Sequence, residues 1–516
     1  MSTNKSVIKS AGIIGIATLC SRILGFLRDV VIARIFGVYV YAQAFVIALR
    51  LPNLFRDILA EGAANSCIVP VLSEEKAKAN ASEFWELVNI LFNLLVIVSC
   101  GIVLLGVILA PILVRIIAPG FVADTQKFLT TVTLTRLIFP YLLLISLASL
   151  ATSVLNTLKH FTIPALAPCI LNISLIVFAF FFGEGIKGLT LGVLVGGVLQ
   201  FLVQLPILYK KGFFFRITNR FHHPAVVKIV RLLLPRLVSS SLYQINNFVD
   251  SIFASLAFVV GEGAVAILYF AYRIIQFPLG IFSTALTQAA LPTFSQQALE
   301  DSLDSLKHTL LFSLKAMMLV LLPATIGCLV LSKFIIANLF GGGRFDSYSV
   351  DRTAQVLFFY SLGLVAYGGS KILQSCFFAL KDTATPAKVL ALNVVLNVIF
   401  NSLLMFPLQV NGLALATSIS GFICFGVLLF LLYQRLDGFD LKRLSGSLIR
   451  ILAASLAMGL VAFITQRFFI FGDSGFFRFL SVCIVLSFSG CSYLLFCLLF
   501  KVEQINLLWQ WVARKI

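Results

Sequence analysis

Charge is what this 516-residue chain has least of. Asp, Glu, Lys and Arg make up 12% of it, where an ordinary soluble protein carries about 25%. Acids are scarcer than bases, 21 against 39. In the long apolar stretches only Asp29, Asp57, Glu61 and Asp250 appear, with no DxxD pair among them. That argues against a membrane enzyme of the kind that needs clustered carboxylates for Mg²⁺ or for proton transfer. The four histidines, His160, His222, His223 and His308, all fall in expected loops and suggest no metal site. A phosphate loop of the GxxxxGK[ST] type is missing, and Gly341-Gly342-Gly343-Arg344 shares only its glycines. ATP-driven transport by this chain alone is thereby disfavoured. Ten cysteines form no disulfide pattern; Cys20, Cys100, Cys169, Cys328, Cys424 and Cys497 lie inside apolar runs, where a free thiol behaves as a small hydrophobe.

Hydrophobic residues, by contrast, make up 60% of the chain, with a mean hydropathy of +1.04. Leu87 to Val114, Leu137 to Leu158, Phe161 to Gly183, Gly188 to Tyr209, Ile274 to Leu299 and Phe479 to Phe500 contain no charged residue. Each can cross a hydrocarbon core, which takes roughly 20 helical residues. Val389 to Gln434 is long enough for two spans, with Pro407 and Asn411-Gly412 marking the turn. Backbone in lipid must satisfy its own hydrogen bonds, and no alternating pattern suggests a barrel. The expected fold is all-α and integral to the membrane, with about fourteen transmembrane helices. Met1 to Arg22 resembles a signal peptide, but Leu19 precedes Cys20 where a small residue is needed, so the segment reads as a retained first helix.

The net charge of +18 does not point to nucleic acid, because no aromatic-basic stripe accompanies it. Placing the N-terminus in the cytoplasm puts 21 basic residues on that side and nine on the other, the asymmetry that orients membrane proteins. Both termini are then expected in the cytoplasm. The chain also repeats itself. Arg50 and Arg273 are 223 apart, Pro70 and Pro292 222, Leu158-Lys159 and Leu380-Lys381 222, and Gly188-Leu189 and Gly412-Leu413 224. A near-constant offset implies two parallel six-helix repeats, a transporter architecture with the substrate site between the halves. The expected domains are an N-lobe at 1–210, a cytoplasmic loop at 211–228, a C-lobe at 229–434, and two extra helices with a cytoplasmic tail at 435–516.

Nine Lys or Arg fall within the expected spans: Arg22, Arg28, Arg50, Arg56, Arg136, Arg236, Arg273, Lys315 and Lys371. A cation at mid-depth costs roughly 2.5–3.5 kcal/mol on insertion scales. Arg136, Arg236, Lys315 and Lys371 lie near span ends, where snorkelling relieves the cost. Arg22, Arg28, Arg50, Arg56 and Arg273 do not, and only Asp29, Asp57 and Glu61 are near enough to neutralise them. Spacing pairs Arg22 with Asp29 and Arg50 with Asp57 and Glu61. The surplus asks for an anionic guest, and guanidinium suits phosphate through two parallel hydrogen bonds. Arg22 and Arg28 are six residues apart, about 240° around a straight helix, so both reach one cavity only if the helix bends.

The runs Ser21-Arg22-Ile23-Leu24-Gly25-Phe26-Leu27-Arg28-Asp29, Ala33-Arg34-Ile35-Phe36-Gly37, Leu51-Pro52-Asn53-Leu54-Phe55-Arg56 with Ala60-Glu61-Gly62, and Leu171-Asn172-Ile173-Ser174 resemble the MurJ (MviN) family of lipid II flippases. That family lies within the multidrug/oligosaccharidyl-lipid/polysaccharide exporter superfamily. The resemblance implies fourteen helices as two lobes plus a final pair, and transfer of an undecaprenyl-pyrophosphate glycolipid, lipid II, to the outer leaflet of a bacterial cytoplasmic membrane by alternating access. It maps the family's cavity arginines onto Arg22, Arg28, Arg56 and Arg273, with Arg50 a further basic position. Gln43 and Tyr272 stand where the family often has acids. A sodium site found in some members maps onto Asp250, Asn393, Asn397 and Thr417, so coupling to Na⁺, to H⁺ or to the membrane potential is an expectation. Expected partners are lipid II, membrane lipids and the cell-wall synthesis machinery, with no cofactor. The rival readings are a flippase for another polyprenyl-pyrophosphate glycan, which the arginines would serve equally, and a drug/cation antiporter, whose substrates the arginines would repel.

Overall fold

The computed structural model describes residues 2–56, 63–78, 80–183, 185–218, 221, 223–300, 303–469 and 474–505. Two compact units divide it, Met1–Leu256 and Ala257–Ile516. The first holds α1 (Ser2–Phe36), α2 (Val40–Arg56), α3 (Ala63–Lys78), α4 (Ala81–Ile117), α5 (Thr125–Ile138), α6 (Tyr141–Thr157), α7 (Thr162–Phe182), α8 (Ile186–Leu202), α9 (Leu205–Lys210) and α10 (Pro224–Ser255). The second holds α11 (Ala257–Val260), α12 (Ala264–Pro278), α13 (Thr284–Leu299), α14 (Leu303–Leu339), α15 (Ser347–Leu362), α16 (Leu364–Ala379), α17 (Ala384–Leu408), α18 (Val410–Arg435), α19 (Leu441–Thr465) and α20 (Gly475–Leu499). The division falls after α10, which packs on α3 and α4 of the first unit.

The duplication is visible where the long helices end: α4 at Ile117 and α14 at Leu339, 222 apart. The turns repeat as well. Lys159 and Lys381 both sit in the left-handed region, at φ 59° and 60°. Each follows a helix closed by the same kind of backbone bond, His160 N to Leu155 O and Asp382 N to Phe377 O. A non-glycine residue there is uncommon, so its recurrence 222 positions later is a conformational signature of one unit used twice.

Ten helical stretches among the described residues are long and apolar enough to span a membrane. The pair α15 and α16, bent by 41°, makes eleven. They coincide with eleven of the fourteen expected spans; the other three expected spans fall on α1, on α2 with α3, and on α10. The helix α17 ends at Leu408 and α18 begins at Val410, so the turn lies where Pro407 and Asn411-Gly412 indicate it. Within Thr125–Thr157, which counts as one span, a turn at Phe139-Pro140 separates α5 from α6. Burial is inverted relative to a soluble protein. Leu104, Leu105, Ile108 and Ile112 of α4 are exposed, while Asn89, Asn93 and Ser99 of the same helix are buried. Apolar surface left outside on this scale belongs to a chain whose solvent is lipid.

Lys315 departs from the snorkelling expectation. It is buried, and its Nζ lies 3.1 Å from Glu503 Oε2, just beyond α20. An acid distant in sequence neutralises it.

At one end of the first unit, Glu74 of α3 accepts from Lys228 of α10 at 2.5 Å and from Lys78 at 2.6 Å. The two ammonium groups, Lys228 first, hold its carboxyl down from 4.5 to about 2. A depressed carboxylate contributes stability above its unfolded pKa and loses it as pH falls through the folded one. The carboxylate is partly open to water, so screening keeps the contribution small. Unfolding followed between pH 5 and pH 2 should show a shallower acid-side loss in Glu74→Gln than in the parent chain; identical slopes would show that the pair contributes nothing.

Candidate functional site

In the first unit, α1 lies against α7, and their contact is built around one asparagine. Arg28 Nε and Nη2 donate to Asp29 Oδ1 at 3.0 and 2.7 Å, and Nη1 donates to Asn172 Oδ1 at 3.1 Å. Asn172 Nδ2 in turn donates to the Ser21 carbonyl at 3.2 Å. Asp29 is 1% exposed and Arg28 13%. Gly25 faces this junction, and a Cβ there would meet the Asn172 amide at 3.6 Å. The asparagine therefore binds α1 at two levels and fixes the guanidinium between them. The expected pairing of Arg22 with Asp29 is corrected: Asp29 takes its chain neighbour Arg28. A long arginine side chain can fold back along its own helix, which spacing rules for facing residues do not anticipate.

Arg22 is exposed, on the stripe that carries the exposed Leu19, Ile23 and Leu27. α1 is one continuous helix, and Arg22 and Arg28 diverge on it, Arg28 toward α7 and Arg22 away from it. Arg50 of α2 donates from Nη1 to the Asn247 carbonyl of α10 at 2.6 Å, an oxygen that also accepts from Ser251 Oγ at 2.7 Å. This ties α2 to α10. Asp57 and Glu61, the acids expected beside Arg50, lie outside the described residues, as does the side chain of Arg56.

In the second unit, Arg273 of α12 lies over the Tyr269 ring, 4.8 Å from its centroid, and donates from Nη2 to the Tyr269 hydroxyl at 2.8 Å. Tyr269 is one turn earlier on the helix, so this contact is local to α12. Tyr272, which stands in place of a family acid, packs at a tilt against Tyr360 with ring centres 5.6 Å apart. Gln43, the other substitution, is buried in α2.

The residues mapped to a sodium site are divided between the units. Asp250 is on α10 in the first. In the second, Asn397 Oδ1 accepts from Asn401 at 2.6 Å, Asn393 Oδ1 accepts from the Cys424 thiol at 3.6 Å, and Thr417 Oγ1 donates to Leu413 O at 3.0 Å. These are neutral oxygens already engaged in helix packing. Amide and hydroxyl oxygens can ligate a hard cation, and the carboxylate of Asp250 is the charged member of the expected set. No group of three His, Cys, Asp or Glu suited to a metal occurs among the described residues.

Asn172, Tyr269 and Asn247 set the arginines' positions, yet charge and spacing in the sequence single out none of them. Only Asn172 carries a signal, a lone amide in a 21-residue uncharged helix.

The family model described as lipid II flippase MurJ matches residues 32–483. A probable lipid II flippase MurJ of Buchnera aphidicola subsp. Schizaphis graminum is 34% identical, over 83% of this chain and 84% of that protein. The lipid II flippase MurJ of Burkholderia cenocepacia is also 34% identical, over 82% of each. Among solved structures, a lipid II flippase MurJ in an inward closed conformation superposes with a TM-score of 0.78 at 27% identity, covering 95% of this chain and 99% of that one. An inward-facing multidrug transporter of the MATE family, at 17% identity and a TM-score of 0.66, covers 81% of this chain and 94% of its own and shares the fold. The chain belongs to the MurJ family of lipid II flippases.

Proposed function

We propose that this protein moves lipid II across the bacterial cytoplasmic membrane, from the inner to the outer leaflet, by alternating access, and that it is a transporter and not an enzyme. The match of a lipid II flippase family model to residues 32–483 carries the reading. The arginines supply the chemistry it needs. Arg22, Arg28, Arg50, Arg56 and Arg273 are the proposed pyrophosphate contacts, with Asp29 holding Arg28 and Tyr269 holding Arg273 in orientation. Because α1 is unbent, Arg22 and Arg28 would meet the pyrophosphate at different steps of the cycle and not together. The polyprenyl tail stays in lipid while the headgroup crosses. Both termini face the cytoplasm, a placement supported by the distribution of 21 basic residues against nine.

The sign of the cargo sets the energetics. Pyrophosphate is an anion, and a cell interior is negative, so outward transfer runs with the field. Each charge moved across gains about 2.3 kcal/mol per 100 mV. No cation step is needed for this drive.

Arg22→Ala and Arg273→Ala test the assignment. Each is expected to lower lipid II translocation in vesicles by about 10²-fold, the loss of one charge-assisted bidentate contact of roughly 3 kcal/mol. Undiminished translocation by correctly inserted variants would refute their role. Faster translocation of a different polyprenyl-pyrophosphate glycan in the same vesicles would refute the substrate.

A further inference from the structure

The chain that follows α9 is held by two side chains of α4. Asn89 Nδ2 donates to Phe214 O at 3.0 Å, and Asn89 Oδ1 accepts from Arg216 N at 2.8 Å. Asn93 Nδ2 donates to Arg216 O at 2.8 Å. The asparagines are one turn apart and both are buried. Just before the segment they hold, Phe213 is buried against Trp85 and Phe92, with ring centres 5.8 and 5.0 Å apart. The two amides read only backbone here, so the segment is fixed in place with its side chains left over.

Those side chains are of two kinds. Phe214, Phe215 and Ile217 are 62%, 49% and 85% exposed. Lys210, Lys211 and Arg216 are exposed beside them. The segment emerges from the membrane-spanning stretch Ile186–Lys210 and is pinned to another, Ser82–Ile117. It therefore runs where helices leave the bilayer. Bulky apolar groups interleaved with cations are the composition of an interfacial anchor: rings settle at headgroup depth and ammonium or guanidinium groups meet lipid phosphate. The clamp removes the ordering cost that a flexible loop would meet on binding.

We propose that residues 210–217 form a docking strip for the headgroup layer of an anionic bilayer, with Phe214, Phe215 and Ile217 inserted and Lys210, Lys211 and Arg216 paired with lipid phosphates. The occupant is the lipid surface itself, chosen by charge complementarity and by the strip's continuity with the spanning helices.

Amide hydrogen exchange of the full chain in nanodiscs tests this. The amides of Phe215 and Ile217 report on the strip, and that of Arg216, bonded to Asn89, is the internal reference. Adding phosphatidylglycerol to phosphatidylcholine discs should slow the two reporters about tenfold, and the effect should vanish at high salt. The combined variant Lys210→Gln, Lys211→Gln, Arg216→Gln should lose it. Phe214→Ser with Ile217→Ser, which keeps every charge, should also lose it and serves if the first variant inserts poorly. Equal exchange in both lipid mixtures would overturn the proposal. So would the same protection from inorganic pyrophosphate in phosphatidylcholine discs, which would mark a small-anion site.

Discussion

Arg28→Ala is expected to abolish lipid II translocation and to destabilise the first unit at the same time. Asp29 is 1% exposed and takes two hydrogen bonds from this guanidinium. Removing it takes two hydrogen bonds and one counter-ion from a buried carboxylate, a loss of up to about 3–5 kcal/mol. It also frees Asn172 from one of its two holds on α1. Thermal unfolding in detergent and rescue of cells depleted of the native flippase would read the two effects separately. Arg28→Gln combined with Asp29→Asn should recover most of the melting temperature and none of the transport, because it removes the buried charge pair whole. Recovery of both would reduce Arg28 to a structural residue. Arg28→Lys should fall between, since an ammonium cannot span Asp29 and Asn172 in one plane.

The second large effect is expected at Gly412. A Cβ there would overlap the Leu404 carbonyl oxygen and stand 2.5 Å from its carbon. Both belong to backbone of the facing helix α17, so relief requires opening the α17–α18 hairpin. Overpacking of this kind costs about 1–3 kcal/mol, and rigid backbone places it at the upper end. The repeat supplies its own control. Gly188 occupies the equivalent crossing between α7 and α8, where a Cβ would meet the Phe178 oxygen at 2.8 Å. Gly412→Ala should therefore lower the melting temperature more than Gly188→Ala does, in one detergent and at one protein concentration. The opposite order would mean that the two hairpins do not share their packing constraint.

How far the fold could be read in advance follows from the same contrast between local and distant causes. Long uncharged runs give helices because lipid leaves the backbone no other partner. The duplication was legible at Leu158-Lys159 and Leu380-Lys381, where a tight turn repeats its residues and its backbone angles. The turn at Phe139-Pro140 escaped, since membrane helices tolerate proline and its presence does not say whether the helix bends or divides. Lys315 was expected to reach the membrane edge by itself; its partner Glu503 lies 188 residues on, at a distance only packing could close. The arginines were legible as a set, because a cation in an apolar run stands out. Their individual partners were not. Asn172, Tyr269 and the Asn247 carbonyl are neutral groups, and neutrality carries no signal in a charge count. Asn89 and Asn93 were missed for that reason also, although two amides one turn apart in an apolar helix are a pattern that could have been noticed.

Directly after α12, which bears Arg273, the helix widens into a π turn at Leu279–Ser283, where Thr284 N–H bonds back five residues to Leu279 O. Such a turn stores one extra residue in the spiral. Passing it along the helix would roll whichever segment it crosses by about 100° about its own axis, and Pro278, which has no N–H to give, already leaves the ladder one bond short at that point. Side chains on α12 would then trade one set of neighbours for the next in a single notch, giving this rod of the transporter a screw joint.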